Sequence, residues 1–351
     1  MLRLQLETYW SAIEAELRQA LRAPHPALAN FYGMMQYHMG WTDSQFQPAD
    51  APTGKRLRPL FCLLACRAAG GDPMQALPAA AAIELVHNFS LIHDDIEDQS
   101  DTRRHRPTVW AIWGQPQAIN VGDGMFSLAH LVMGRLTCVG VSPQLTSRAT
   151  QILQETCLTL TEGQFLDMTF EERFEIDLDE YLWMIQDKTA ALLGAATRIG
   201  ALLAGADNET ITAYREFGAS TGMAFQIQDD ILGVWGDEAH TGKPTGSDIR
   251  MRKKALPFVY AVGALRRAGR QDILERLRGL YAGSTVNEED IPEVIRILEL
   301  AGARTFCEEQ AMLYQEQAME HLQRAGTLAS TDWEAVQCLR ELALSLLGRQ
   351  S

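Results

Sequence analysis

Apolar residues recur at three- and four-residue spacing through most of the chain. The periodic stretches are 2–21, 57–69, 77–98, 118–136, 147–167, 178–204, 209–234, 255–268, 271–281, 291–300 and 301–347. Each is expected to form a helix with one face turned to a core. No stretch carries a convincing strand-like alternation. The punctuation between stretches is regular, at 70–73, 140–143, 205–208 and 287–292, and Ser147 and Asn208 are expected helix N-caps. The apolar run 190–205 is interrupted by Arg198 and is too short to cross a bilayer, so it reads as a buried helix. The expectation is an all-α fold, residues 1–351 forming a single-domain helical bundle.

One segment departs from this rhythm. Residues 23–53 hold Pro24, Pro26, Pro48 and Pro52, with Phe31, Tyr32, Tyr37, Trp41 and Phe46 between them. So many aromatic side chains call for an ordered, partly helical excursion packed on the body, with no function legible in it.

Composition narrows the function classes. The chain is 46% hydrophobic and 22% charged, enough apolar surface for a sizeable core, and its formal net charge is −14 at pH 7. That charge argues against nucleic acid as a partner. The basic residues cluster instead, at Lys55, Arg56 and Arg58, at Arg103, Arg104 and Arg106, and at Arg250, Arg252, Lys253 and Lys254. Six cysteines without a CxxC pair, and no signal-peptide pattern, point to reduced thiols in a cytoplasmic protein.

The chemistry gathers at two acidic pairs. Asp94-Asp95-Ile96-Glu97-Asp98 and Asp229-Asp230-Ile231-Leu232-Gly233 each follow an apolar helical run. Adjacent carboxylates beside apolar faces are costly unless cations compensate them, so the pairs read as two walls of one cavity holding metal ions and an anion. Asp94 and Asp98 lie one helical turn apart on one face, with Asp95 offset. Oxygen-only ligands suit a hard ion such as Mg2+ shared with substrate phosphates. Arg103 and Arg104 follow closely, as a bound polyphosphate would require. After the second pair comes Gly242-Lys243-Pro244-Thr245-Gly246-Ser247-Asp248, which looks like a flap over phosphates.

These segments, with Gly54-Lys55-Arg56-Leu57-Arg58-Pro59, Glu84 to Asp95, Asp101 to Arg104, Asn120-Val121-Gly122-Asp123, Glu162-Gly163-Gln164, Lys188-Thr189 and Gln226 to Asp230, resemble the trans-isoprenyl diphosphate synthases (the polyprenyl synthetase family) over roughly residues 54–260. The resemblance implies the isoprenoid synthase fold with a deep central cavity, and a homodimer. It implies that an allylic diphosphate ionises and alkylates isopentenyl diphosphate, the released diphosphate taking the proton. By matched position, Asp94, Asp98 and Asp229 bind Mg2+, three ions with substrate present, with Asp95 and Asp230 in support. Arg103, Lys188 and Lys243 contact the leaving group, and the retained Lys253 at the flap end favours diphosphate. Lys55, Arg56, His87 and Arg104 hold isopentenyl diphosphate, while the Lys188 carbonyl, Thr189 and Gln226 face the cation.

Three departures stand out. Gly233 replaces a third aspartate, Arg252-Lys253-Lys254-Ala255 stands where Gly-Lys-x-Thr is common, and His105 replaces a usual glycine. Phe89 and Ser90, five and four positions before Asp94, are the expected chain-length residues. They favour geranylgeranyl diphosphate (C20), with farnesyl diphosphate (C15) as the alternative. A terpene cyclase on the same fold, or a non-catalytic partner subunit, fits less well: Gln226, Asp229 and Asp230 stand where a cyclase carries an Asn/Ser/Glu motif, and Lys55, Arg56 and His87 are present.

Overall fold

The computed structural model describes residues 2–52, 54, 56–237, 244–283, 285–328 and 332–347. Its helices are α1 (Leu2–Ala20), α2 (Ala29–His38), α3 (Leu57–Ala68), α4 (Leu77–Glu97), α5 (Val109–Trp113), α6 (Gln115–Gly134), α7 (Pro143–Glu171), α8 (Leu178–Ile185), α9 (Ala191–Leu203), α10 (Asn208–Trp235), α11 (Ser247–Arg250), α12 (Leu256–Arg267), α13 (Gln271–Leu280), α14 (Ile291–Leu300), α15 (Ala303–Leu328) and α16 (Trp333–Leu347). The all-helical expectation is met. The paired strands among the described residues are the two-residue β1 (Thr102–Arg103) and β2 (Arg106–Pro107), an antiparallel hairpin too short for any alternation to announce.

The chain groups into two compact units. One comprises Met1–Glu155, Ala195–Tyr214 and Ala325–Leu339; the other comprises Thr156–Gly194, Arg215–Arg324 and Arg340–Ser351. In the first unit, α4 packs against α3 and α6. It opens with Ala79, Ala80, Ala81 and Ala82, all fully buried, and these small side chains let neighbouring backbones come close. The same logic puts Gly200 of α9 against α3, where a β-carbon would overlap the Cys62 carbonyl oxygen. In the second unit, Phe170, Tyr181, Phe258 and Tyr281 anchor a core of α8, α10 and α12–α15 side chains.

Both expected N-caps move. Ser142 accepts from the Leu145 N–H at 3.2 Å and Pro143 opens α7, so Ser147 lies inside the helix. Asp207 accepts from the Thr210 N–H at 2.8 Å, taking the cap one residue before Asn208. The stretch 301–347 divides into α15 and α16, and 178–204 is interrupted at Gln186–Ala190 by a π-helical turn. All six cysteines are free thiols, and five are buried.

The excursion is ordered and partly helical, as expected. Tyr37 at the end of α2 donates to the Pro107 carbonyl at 2.8 Å, and Arg106 returns bonds to the Tyr37 and Thr42 carbonyls at 3.1 and 2.8 Å. The Arg106 guanidinium also lies 4.0 Å over the Tyr37 ring. Phe46 stacks on Trp113 at 5.5 Å, and Tyr37 meets the same indole edge-on at 5.1 Å. Aromatic pairs of this kind contribute about 0.5–1.5 kcal/mol each beyond their buried area. Residues 29–48 therefore clamp the hairpin that carries Arg103 and Arg104.

Candidate active site

In the first unit, the last turn of α4 splits its carboxylates between two environments. Asp94 is partly open and Asp98 exposed, one turn apart on one face, whereas Asp95 is only 2% exposed. Arg103 bonds both halves, its Nε to Asp95 Oδ1 at 2.7 Å and a terminal nitrogen to Asp94 Oδ2 at 3.1 Å. Burial pushes the Asp95 carboxyl up to about 6 against the pull of Arg103. Asp95 is thus a support for Arg103, and the outward carboxylates of this helix are Asp94 and Asp98.

The hairpin turn beyond Arg103 places Arg104 and His105 in the left-handed region, at φ 52° and 62°. This explains why glycine suits position 105; histidine tolerates that conformation better than most residues. Arg104 is half-buried, and burial lowers its pKa while the charge of Glu84 works to raise it.

The basic cluster before α3 sorts differently from the sequence reading. Arg56, itself left-handed at φ 47°, pairs with Glu14 of α1 and lies 5.8 Å from the Trp41 ring. Arg58 is the residue beside His87, with Nη1 3.2 Å from Nε2. Burial first, then Arg58, Arg104 and Arg103, pushes the His87 pKa well below its ordinary value, so the ring is neutral. Beneath them Glu84 is 4% exposed and accepts from Asn88 at 3.1 Å, with Arg58 and Arg56 holding down a pKa that burial raises. Arg58 and Glu84 were absent from the expected site. Their signal was an acid one turn before His87 in an apolar helix, and an arginine one turn after Lys55. Lys55 itself lies outside the described residues.

In the second unit the site is built on the π turn that holds Asp187, Lys188 and Thr189. Such turns shift the helical register by a residue and are frequent at functional positions. Two glycines make room for this one. A β-carbon on Gly163 of α7 would overlap the Lys188 amide nitrogen and lie 2.9 Å from the Asp187 carbonyl carbon. One on Gly222 of α10 would lie 2.6 Å from Ala190 Cα. Glu162-Gly163-Gln164 thus has a steric reason at its centre.

From this turn a hydrogen-bond chain runs inward. Thr189 donates to Gln226 Oε1 at 2.8 Å, and Gln226 donates to Asp230 Oδ1 at 3.0 Å. Asp230 Oδ2 accepts from the Tyr181 hydroxyl at 2.5 Å and from the Leu256 N–H at 3.1 Å. Asp230 is 4% exposed and burial pushes its pKa up to about 7, while Asp229 points to solvent. Asp230 therefore repeats the role of Asp95, and Asp229 is the outward carboxylate of the second pair. Tyr181 is a member of the network that the sequence reading missed. Lys188 Nζ bonds Asp167 Oδ2 at 2.5 Å.

Of the two lysines after α11, Lys253 is exposed. Lys254 is buried 4.8 Å over Phe258 and 4.7 Å over Tyr281, where burial lowers its pKa to about 8. Lys243 and Gly242 of the expected flap lie outside the described residues. Phe89 is half-buried and meets Phe126 of α6 edge-on at 5.1 Å; Ser90 donates to the His87 carbonyl at 2.8 Å.

The donor set fits Mg2+. The open carboxylates are oxygen donors in ones and twos, and among the described residues no three acidic, His or Cys side chains converge into a cage. An ion that keeps waters and shares substrate phosphates asks for no more than this.

The polyprenyl synthetase family model matches residues 41–298. The chain is 40% identical over 318 residues to a (2E,6E)-farnesyl diphosphate synthase of Mycobacterium tuberculosis (strain ATCC 25618 / H37Rv), covering 91% of this chain and 86% of that one. It is also 40% identical over 289 residues to a geranylgeranyl diphosphate synthase of the same strain, covering 82% and 79%. A polyprenyl synthetase crystal structure from Streptomyces coelicolor A3(2) superposes with a TM-score of 0.86 at 36% identity, over 97% of this chain and 98% of that one. With the motifs in place from Arg58 to Lys253 and relatives alike over nearly their whole length, the chain belongs to the polyprenyl synthetase family.

Proposed function

We propose that this protein is a short-chain trans-prenyltransferase that condenses an allylic diphosphate with isopentenyl diphosphate. The observation that carries this is the division of each acidic pair: an outward carboxylate (Asp94 with Asp98, and Asp229) beside a buried one (Asp95, Asp230) bonded into the scaffold. The C1–O bond of the allylic substrate breaks and the diphosphate keeps the electron pair. The isopentenyl double bond supplies the pair for the new carbon–carbon bond, and the released diphosphate then takes the proton whose loss restores a double bond.

Mg2+ held by Asp94, Asp98 and Asp229 would neutralise charge on the leaving diphosphate. The chain's own groups do the rest. Arg103, fixed at two points, and Lys188 present fixed positive charge to an anion whose charge grows as it departs, which favours the transition state over the ground state. Lys243 and Lys253 are proposed to join them. Arg58, Arg104 and the neutral His87 donate to the isopentenyl diphosphate, with Lys55 and Arg56 completing the set. Thr189, oriented by Gln226, and the Lys188 carbonyl set oxygen dipoles toward the developing cation.

Geranylgeranyl diphosphate is the proposed product. Farnesyl diphosphate is the second reading, favoured by Phe126 backing Phe89 and by the farnesyl synthase relative. A homodimer accounts for apolar faces left open on each unit: Ile119 and Phe126 on α6, and Leu158, Phe165 and Met168 on α7. No described helix is long and apolar enough to cross a membrane. Incubating the purified protein with Mg2+, isopentenyl diphosphate and each allylic primer tests the reading. Consumption of isopentenyl diphosphate with diphosphate release is expected, with C20 product accumulating; no consumption overturns it.

A further inference from the structure

The excursion contributes a histidine to the first unit's site, and no motif of the family resemblance includes it. His38 is the last residue of α2, and its Nε2 is buried with no hydrogen-bond partner. The second buried orphan nearby is Oδ2 of Asp95, whose other oxygen holds Arg103. The residues His38 and Asp95 line the same cavity of about 20 Å3, together with Tyr37, Arg103, Arg104 and Thr108.

The two orphans are of one kind. Asn88 spends its Nδ2 on the Glu84 carbonyl and carboxylate at 2.8 and 3.1 Å, which leaves its side-chain oxygen to accept, and Asn88 acts to raise the proton affinity of the His38 ring, as an acceptor near an N–H does. With Nε2 unpartnered, we assign the ring N–H to Nδ1, on the Asn88 side, and the lone pair to Nε2. Burial and the charges of Arg104, Arg103 and Arg106 hold the imidazole pKa down to about 3, so the lone pair persists at neutral pH. Asp95 Oδ2 is also an acceptor. Two buried acceptors on residues that line one small cavity match the two protons of a single water, and the lining guanidiniums suit its oxygen.

We propose that His38 is a positioning residue for the allylic diphosphate: a water bridging its Nε2 to Asp95 Oδ2 holds the Asp95–Arg103–Asp94 array in register. The excursion is then more than a clamp on the hairpin. It closes the hydrogen-bond account of the first acidic motif, which leaves Asp95 one bond short without it.

The kinetic test rests on the proposed function; the crystallographic one does not, so the two can fail separately. With the full chain and Mg2+, His38→Leu is expected to raise the KM for the allylic diphosphate about five- to tenfold, the scale of one unsatisfied buried acceptor. The KM for isopentenyl diphosphate should stay within about twofold, and His38→Gln, which keeps an acceptor, should restore the allylic KM. Both KM values unchanged, both moving together, isopentenyl diphosphate alone responding, or no rescue by glutamine would each overturn the proposal. Should His38→Leu fail to fold, a crystal structure of the unsubstituted chain at water-revealing resolution decides. An ordered water within hydrogen-bond distance of His38 Nε2 and Asp95 Oδ2 is expected, and its absence overturns the inference.

Discussion

The carboxylate of Asp248 lies directly over Gly233. A β-carbon at 233 would overlap Oδ2 and Cγ of Asp248 and stand 2.9 Å from Oδ1. Ser247 also donates to the Gly233 carbonyl at 3.4 Å, so α11 is held against α10 at this point, and the Lys253 N–H closes the end of α11 on the Asp248 carbonyl at 2.9 Å. The second acidic motif is therefore not simply short of an aspartate: a carboxylate from another segment occupies the space.

Restoring the commoner residue should accordingly do harm. Gly233→Asp sets two carboxylates in one place, and even Gly233→Ala meets the overlap. Overpacking costs about 1–3 kcal/mol, against the 0.5–1 kcal/mol gained by replacing a helical glycine. A lowered Tm in both variants is the expected outcome of a thermal melt. Asp248→Ala combined with Gly233→Asp should recover part of the lost stability, the coupling being read from a double-mutant cycle.

Gly163 makes a second steric case. The atoms a β-carbon would meet there are backbone atoms of Asp187 and Lys188, which no rotamer change can move aside. Gly163→Ala is expected to lower stability by about 1–2 kcal/mol after the helix-propensity gain, and to cut kcat about tenfold as Lys188 and Thr189 shift. Denaturant titration and steady-state kinetics on the same preparation check both halves. An unaltered kcat would separate the π turn from the chemistry.

His38 governs a pH dependence. Its folded pKa of about 3 lies below the ordinary histidine value of 6.5, so the unfolded chain binds the proton more tightly. The stability it contributes is fully present above pH 6.5 and is lost as pH falls from there toward 3. By pH 5 the loss amounts to up to about 2 kcal/mol. Unfolding free energies at pH 7 and pH 5 should therefore differ less in His38→Gln than in the unsubstituted chain. Equal pH slopes would contradict the assignment.

The proposed control of chain length rests on two rings. Phe89 and Phe126 meet at 5.1 Å, and His130 packs on Phe126 at 4.6 Å. Phe89→Ala is expected to lengthen the extracted product by one isoprene unit, and Phe89→Ala with Phe126→Ala by more. Sizing of extracted products by chromatography reads this out, and an unchanged distribution in both variants would remove the floor from this helix.

Much of this protein was legible from residue order. The spacing of apolar positions announced nearly all the long helices, because the period of a helix is written in its own sequence. Asp94 and Asp98 fell on one face for the same reason. The arginines after them followed from charge, and the run of short motifs located the family. What no local pattern contained was the outcome of contacts between distant segments. Asp95 and Asp230 look like their neighbours in the chain, yet burial and the partners Arg103, Tyr181 and the Leu256 amide make them supports. The π turn at Lys188 exists where Gly163 and Gly222 leave room, Arg58 instead of Arg56 lies on His87, and Asp248 covers Gly233. The sequence by itself determined the helices, the charges and the chemistry they imply. Tertiary structure decided which carboxylate faces outward and which is locked inside, because burial and hydrogen-bond partners are set by packing between segments far apart in the chain.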